Sequence, residues 1–296
     1  MVTNTKILAQ EFEYFEPESV DEALELLSLY KGQARVIAGG TDLLVKMKRE
    51  LISPEALISL SRISALKCFN EDEKMLRIGA AVTLFQAESN STVARSYSAL
   101  YEALRSMAAP AIRNMGTIGG NLANASPAAD TAPPLLVYNS RLKLRSKKGE
   151  RIVPLEEFFL GPGSTVLSPE ELIIEIQVPF LEASEGSSFL KLGRVSADIA
   201  KINVAVYLRR EGERCALCRI ALGSVAPTPL RIYSAEKLAE GEIFTESLIK
   251  KVARECQEKI RPIDDVRSTR EYRIWVSAVL VEEALRAAWL RSGGKL

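Results

Sequence analysis

A short apolar run, Arg35-Val36-Ile37-Ala38, ends directly on Gly39-Gly40, and this junction restricts the fold more than any other part of the chain. A buried strand must stop there, because paired glycines favour a turn, and the segments on either side carry helical patterns. Upstream, Ser19 and Glu22 have the S-x-x-E spacing of a capping box, in which hydroxyl and carboxylate satisfy otherwise orphaned backbone N–H groups. Ala23, Leu24, Leu26, Leu27 and Tyr30 then form an apolar stripe, and Gly32 marks the stop. Downstream, Leu43 to Lys48 reads as a helical turn and Ala56 to Leu60 as another strand. The first 60 residues therefore read as a small α/β unit.

The pattern then changes. Leu76 to Ala80 reads as a strand, followed by helical segments around Leu84–Glu88 and Leu100–Met107. A Gly/Asn/Pro-rich passage runs from Gly116 to Pro134. Strands are expected at Arg141–Ser146, Ile152–Leu155 and Leu172–Val178, the first two joined at Gly149 as a hairpin. This region reads as α+β with a mostly antiparallel sheet. Pro179 to Gly186 is a plausible boundary. Beyond it, a hairpin of Ile202–Leu208 and Cys215–Leu222 turns at Glu211-Gly212. Helices follow at Glu246 to about Ile260, capped by Thr245, and from Ser268 to Arg291. The expected organisation is α+β. Residues 1–180 form one two-part domain (subdomains about 1–60 and 61–180), and 187–296 form a smaller α+β domain of sheet and helices.

Composition removes several function classes. Lys plus Arg number 39 against 38 Asp plus Glu, so there is no surplus of positive charge for displacing counterions from nucleic acid. No run approaches the roughly 20 apolar residues of a membrane span, and the N-terminus has no apolar signal core. Four cysteines in 296 residues do not suggest a disulfide scaffold, so a cytoplasmic location is expected. There is no histidine. That excludes Ser-His-Asp and Cys-His catalysis and every imidazole-based metal site, and it points to a bound cofactor as the source of any chemistry.

A second glycine pair, Thr117-Ile118-Gly119-Gly120-Asn121, is followed by Asn124, Ser126 and Asp130. Lacking Cβ, such pairs let amide N–H groups approach an anion, and bonds to charged groups contribute roughly 1.5–3 kcal/mol each. Four or five amides could thus hold a diphosphate without any lysine. A lone Gly-Gly pair is more commonly a plain tight turn, and neither pair fits G-x-G-x-x-G or a P-loop.

The wording of these loops carries more. Residues 36–43, VIAGGTDL, and 113–130, RNMGTIGGNLANASPAAD, closely resemble the FAD-binding segments of the medium subunits of molybdenum hydroxylases. That family includes bacterial xanthine dehydrogenases, carbon monoxide dehydrogenases and N-heterocycle dehydrogenases. The resemblance continues through LSPEELIIEIQVP (167–179) and FLKLGRVSADIAK (189–201), and so covers nearly the whole chain. It implies an FAD-binding electron-transfer subunit, with FAD held non-covalently. The molybdenum–pterin cofactor would lie on a large partner subunit and two [2Fe-2S] clusters on a small one, in a dimer of heterotrimers. Electrons would arrive from the clusters and leave to NAD, a quinone or another acceptor. A stand-alone flavin oxidase or dehydrogenase, and a cofactor-free interaction module of the same fold, are the alternatives; the first usually needs a larger substrate domain and often a flavin-tethering histidine or cysteine.

By the same resemblance, Ala38, Gly39, Gly40, Thr41 and Asp42 would clamp the diphosphate from one side and Thr117, Ile118, Gly119, Gly120 and Asn121 from the other, through backbone amides. Val36, Ile37 and Leu43 would flank the first clamp. Asn124 and Asp130 would contact the flavin–ribityl or nucleotide portion, Leu172 and Ile173 would line the adenine pocket, and Lys191 would approach the isoalloxazine. Plainer roles stand beside these. Asp42, whose charge would repel a diphosphate, reads as a helix N-cap turned away from it. Asp130 reads as another cap, and Lys191 as a solvated charge on a strand edge. Gly40→Val or Gly119→Val is expected to abolish FAD retention while leaving much of the fold.

No catalytic side chain and no metal ligand is expected. Cys215 and Cys218 lie three apart on a strand, which puts Cys218 in the core and Cys215 outside it. The inserted cysteine-rich [4Fe-4S] segment of 4-hydroxybenzoyl-CoA reductase flavin subunits has no counterpart. Tyr272, Trp275 and Trp289 on the last helix are candidates for a partner surface, core packing being the commoner fate.

Overall fold

The computed structural model describes residues 8, 10–182, 184–195 and 197–296. Strands β1 (Glu13–Phe15), β2 (Ala34–Ile37) and β3 (Ala56–Ser59) form a parallel sheet in the order β1-β3-β2, with helices α1 (Val20–Tyr30) and α2 (Leu43–Lys48) as the crossovers. The Ser19 hydroxyl accepts from the Glu22 amide, as a cap should, but the Glu22 carboxylate takes the Glu18 amide at 2.8 Å rather than that of Ser19. β3 is buried along its whole length, which its unbroken apolar sequence Ala-Leu-Ile already implies for a central parallel strand.

The middle module is an antiparallel sheet in the order β4-β5-β10-β6-β7, built from β4 (Phe69–Glu71), β5 (Met75–Gly79), β6 (Arg141–Ser146), β7 (Gly149–Pro154) and β10 (Leu172–Pro179). A small hairpin, β8 (Phe159–Gly161) and β9 (Ser164–Thr165), lies beside it. Six helices, α3 (Leu84–Ser89), α4 (Ser91–Ser96), α5 (Ser98–Ser106), α6 (Pro110–Met115), α7 (Ile118–Ala123) and α8 (Ala132–Val137), fill the long connection between β5 and β6. The Gly/Asn/Pro-rich passage therefore contains α7 and the start of α8, joined by turns. Its helices have six residues each, far below the roughly 12–15 needed for independent helicity, so packing holds them. α8 is buried at every position.

The last module is the antiparallel sheet β11 (Glu185–Leu192), β12 (Ile202–Glu211), β13 (Arg214–Gly223) and β14 (Leu230–Arg231), followed by α9 (Tyr233–Ala239), α10 (Glu246–Lys259) and α11 (Arg270–Arg291). The sheet thus begins one strand earlier than the Ile202 hairpin. The alternate residues of β12 face different cores: Ile202, Val204, Val206 and Leu208 pack toward α10 and α11, while Ala205 and Tyr207 join the middle module. α11 lies so close that a Cβ on Gly186 would stand 2.0 Å from the Ala288 carbonyl.

The cysteine expectation needs correcting. Cys215 and Cys218 are both buried in the last module's core. The register slips between Arg209 and Arg210, so Arg209 faces Leu217 while Arg210 faces Cys215, leaving Ala216 as an extra residue. A bulge of this kind resets the alternation of the strand. A side-chain hydrogen bond to Cys215 and then burial raise the Cys218 thiol well above its ordinary pKa, and burial raises that of Cys256. Thiols held protonated in this way are poor nucleophiles. Among the described residues, no group of three or more His, Cys, Asp or Glu is placed to hold a metal, and no helix is long and apolar enough to cross a membrane. Trp289 stacks on Phe244 with ring centroids 4.2 Å apart and belongs to the core, whereas Tyr272 and Trp275 are exposed.

Candidate functional site

The ends of β2, α7 and β10 converge on one cavity of about 510 Å³, within the roughly 300–1,000 Å³ of small-molecule and cofactor sites. All three modules line it. The first contributes Val36 to Leu43, the second Thr117, Gly119 to Asn121, Asn124, Asp130, Leu172 and Ile173, and the third Lys191 with Ala197 to Ile199. Of the residues expected at the site, Ile118 is the exception: it is fully buried in the middle core and does not line the cavity.

The two glycine loops meet at close range. A Cβ on Gly39 would lie 1.9 Å from the Met115 carbonyl oxygen, so only glycine lets the first loop pass over the chain that enters the second. Gly40 takes φ +69°, the left-handed conformation that turns the chain from β2 into α2. The backbone N–H groups of Gly39, Gly40, Thr41 and Asp42 have no acceptor among the described residues. They line the cavity as uncommitted donors, which suits an anion.

The second loop works differently from the amide clamp expected of it. Ile118 donates to Val82 O and Gly119 to Ala80 O, both at 3.0 Å, while Gly120 donates to Thr117 Oγ1 and Asn121 to Thr117 O. The first two amides seat α7 on the β5–α3 turn, and the other two close the helix's own N-terminus on Thr117. Gly119 is needed for that docking, since its Cβ would stand 2.6 Å from Ala80 O. What the loop offers the cavity is the exposed backbone of Gly120 and the side chains of Asn121 and Asn124.

Asp42 occupies the N-cap position of α2 but makes no capping bond. Instead Asn124 Nδ2 donates to Asp42 Oδ1 at 3.1 Å, while Asn124 Oδ1 accepts from Lys46 Nζ at 2.7 Å. One amide thus bridges an acid and a base a helical turn apart on α2. Asp130 is no cap, and Lys191 is no solvated edge charge. Their side chains are each 5% exposed and form an ion pair at 2.6 Å. Asn203 Nδ2 donates to the other Asp130 oxygen at 2.7 Å, and Lys191 also donates to Ser106 O. Burial raises the Asp130 pKa, with Lys191 and Asn203 opposing. Near Leu172 and Ile173, Arg151 holds the Glu171 carboxyl below its ordinary range through a paired hydrogen bond.

Several wall residues escaped sequence reasoning. Lys46 could have been found, because it follows Asp42 by four residues and so shares its helix face. Met107, Ala108 and Ile112 carry no local signal; they are placed by Arg113, whose Nη1 donates to the carbonyls of Met107 and Ala108 while its Nε pairs with Glu88. Ala108 has φ +45° and Ala125, beside Asn124, +48°, conformations costing about 1–2 kcal/mol each for a residue with a Cβ. Such strain beside a cavity is common at functional sites.

Residues 10–181 match the model of the FAD binding domain in molybdopterin dehydrogenase, and 187–288 match the CO dehydrogenase flavoprotein C-terminal domain. The chain belongs to the molybdopterin-dehydrogenase FAD-binding family. It is 35% identical to the carbon monoxide dehydrogenase medium chain of Hydrogenophaga pseudoflava, over 95% of this chain and 98% of that one. The xanthine dehydrogenase FAD-binding subunit of Escherichia coli O157:H7 is 29% identical over 96% and 98%. The solved carbon monoxide dehydrogenase from Hydrogenophaga pseudoflava superposes with a TM-score of 0.94, covering 96% of this chain and 99% of that one. Quinoline 2-oxidoreductase from Pseudomonas putida 86 does so with 0.90 at 29% identity, covering 95% and 98%. The first two relatives are a chain and an FAD-binding subunit of dehydrogenases, which makes this chain an oxidoreductase flavin subunit with FAD as its cofactor. The cavity fits that group: unpaired backbone donors for a diphosphate lie between apolar walls.

Proposed function

We propose that this chain is the electron-transfer subunit of a cytoplasmic molybdenum hydroxylase, working with a large molybdenum–pterin subunit and a small subunit carrying two [2Fe-2S] clusters in a dimer of heterotrimers. FAD supplies two-electron redox chemistry that can also be divided into single-electron steps. Electrons reach it from the clusters and leave to NAD, a quinone or another acceptor. The observation that carries this reading is a cavity walled by all three modules, with the uncommitted amides of Gly39 to Asp42 on one side.

In this reading the chain binds and orients, and no side chain acts as nucleophile or acid–base catalyst. The first loop receives the diphosphate, and Asn121 and Asn124 face it from the second. Leu172 and Ile173, with Val36 and Ile37, form the apolar surface for adenine. The buried Asp130–Lys191 pair would place a fixed dipole beside the isoalloxazine, and the aliphatic residues Met107, Ala108 and Ile112 would limit water there. A shaped, largely pre-formed site of this kind is the protein's contribution to cofactor chemistry.

The purified protein is expected to show an oxidised-flavin spectrum, and heat or acid denaturation should release intact FAD into the supernatant. FMN in the supernatant, or flavin retained by the precipitated chain, would contradict the proposed cofactor state. Co-expression with a molybdopterin subunit and a two-cluster ferredoxin-like subunit should yield one complex in which substrate reduces the flavin; the isolated chain should not hydroxylate substrate.

A further inference from the structure

Three cations line the cavity among the described residues: Arg35, Lys46 and Lys191. Lys191 is neutralised by Asp130. Arg35 turns Nη1 to the carbonyls of Gly32 and Ala34, at 2.8 and 3.0 Å. Neither Arg35 nor Lys46 has a carboxylate within salt-bridge distance among the described residues, but Arg35 is turned back on carbonyls of its own segment, whereas Lys46 reaches across the cavity to the Asn124 amide oxygen of the second loop. Its nearest acid along the helix, Asp42, is taken up by the opposite end of the same amide.

We propose that Lys46 is the cation that offsets the charge of the cofactor's diphosphate, and that Asn124 is its positioning partner. This rests on the FAD reading above and deepens it. Lys46 lies on α2, one turn beyond the uncommitted amides of the first loop, and reaches across to the second loop at the end of α7. An ammonium has three donors, and Asn124 uses one. The other two remain for an anion bound between the loops. The arrangement also balances charge. The loops hold one acid and one base joined by an amide; a bound diphosphate brings negative charge that Asp42 opposes and Lys46 attracts. Glycine amides alone would leave the Asp42 repulsion unanswered. Here the diphosphate is therefore not held by backbone only, and its binding ties the first module to the second through Lys46 and Asn124.

The test uses the full chain stripped of flavin, titrated with FAD, ADP and riboflavin at several salt concentrations. Lys46→Gln is expected to weaken FAD and ADP by about tenfold, the scale of one charged hydrogen bond in a partly wet site. It should also flatten the salt dependence of both ligands, because the lost interaction is between charges that ions screen. Riboflavin, which lacks the diphosphate, should bind as it does to the wild type. Lys48→Gln makes the same change of net charge on an exposed position of the same helix and should alter none of the three. Unchanged FAD and ADP binding in Lys46→Gln would overturn the inference, as would an equal loss of riboflavin, which would make Lys46 a strut between loops. A wild-type chain that binds neither FAD nor ADP would overturn the cofactor reading itself.

Discussion

Gly39→Ala should lose most of its flavin and melt earlier than the wild type, although a single methyl group is added. The new Cβ would lie 1.9 Å from the Met115 carbonyl oxygen and 2.8 Å from the Gly116 nitrogen, both backbone atoms that cannot rotate aside. To regain ordinary contact the first loop must retreat by about 1.5 Å, carrying the uncommitted amides of Gly39 to Asp42 with it. Overpacking of this kind costs about 1–3 kcal/mol in stability, and displacing two charged hydrogen bonds adds at least about 3 kcal/mol in ligand affinity, a factor above a hundred. Gly40→Ala should be milder. Its strain is the left-handed conformation, about 1–2 kcal/mol, and its nearest neighbour is the flexible end of Leu44 at 3.0 Å. Gly119→Val differs from both. Its side chain would strike the Ala80 backbone, so it should destabilise the middle module as a whole instead of sparing the fold. Flavin-to-protein ratio after desalting, measured with the melting temperature, separates these cases. Full flavin content in Gly39→Ala would show that the close approach of the two loops is not what shapes the site.

Where local pattern decides structure, the sequence was readable. α1 and α10 carry caps and apolar stripes, and the β6–β7 and β12–β13 hairpins carry alternation with a glycine turn, so each announces itself. Tertiary packing decided the rest. α7 and α8 contain Gly-Gly and Pro-Pro and are helical because neighbours enclose them. β11 begins Glu-Gly-Ser-Ser, a loop-like composition, yet Ser187 and Ser188 are buried with partners on other elements: Ser187 bonds Tyr138 at 2.6 Å and Ser188 the Ala284 carbonyl at 2.7 Å. No window of sequence contains those partners. The same division holds at the cavity. The glycine pairs were legible as places where the backbone bends or approaches closely, but as a cofactor site only through the family resemblance of the loops around them. That the second loop's amides are spent on Val82, Ala80 and Thr117 was not, since Ala80 and Val82 lie in a turn distant in sequence. Asp130 and Lys191 were legible as site residues only through family resemblance. Their pairing joins residues 61 positions apart and overturns the plain reading of each.

That pair supports the second large prediction. Lys191→Met should cost about 3–5 kcal/mol, because the carboxylate of Asp130 would remain buried without its cation. The loss should depend on pH, and its sign follows from the direction of the shift. Burial already raises the Asp130 pKa in the wild type, with Lys191 opposing. Without Lys191 the folded-state value climbs further above the unfolded value of about 3.9. The folded variant then holds a proton that the unfolded chain releases. Its stability is therefore retained at pH below about 3.9 and declines as pH rises through the folded-state pKa of Asp130. In the Lys191→Met variant the deficit in melting temperature relative to the wild type should widen from acid toward neutral pH. Adding Asp130→Asn removes the buried charge while leaving an amide oxygen to accept from Asn203, and should recover much of the loss and flatten the pH profile. The stability and pH response of the two single variants and the double variant form a cycle that isolates the coupling. A Lys191→Met variant as stable as the wild type at neutral pH, with no widening of the deficit, would mean that Asp130 is already protonated in the folded chain and that the cavity carries a net positive charge on Lys191 in place of a neutral pair.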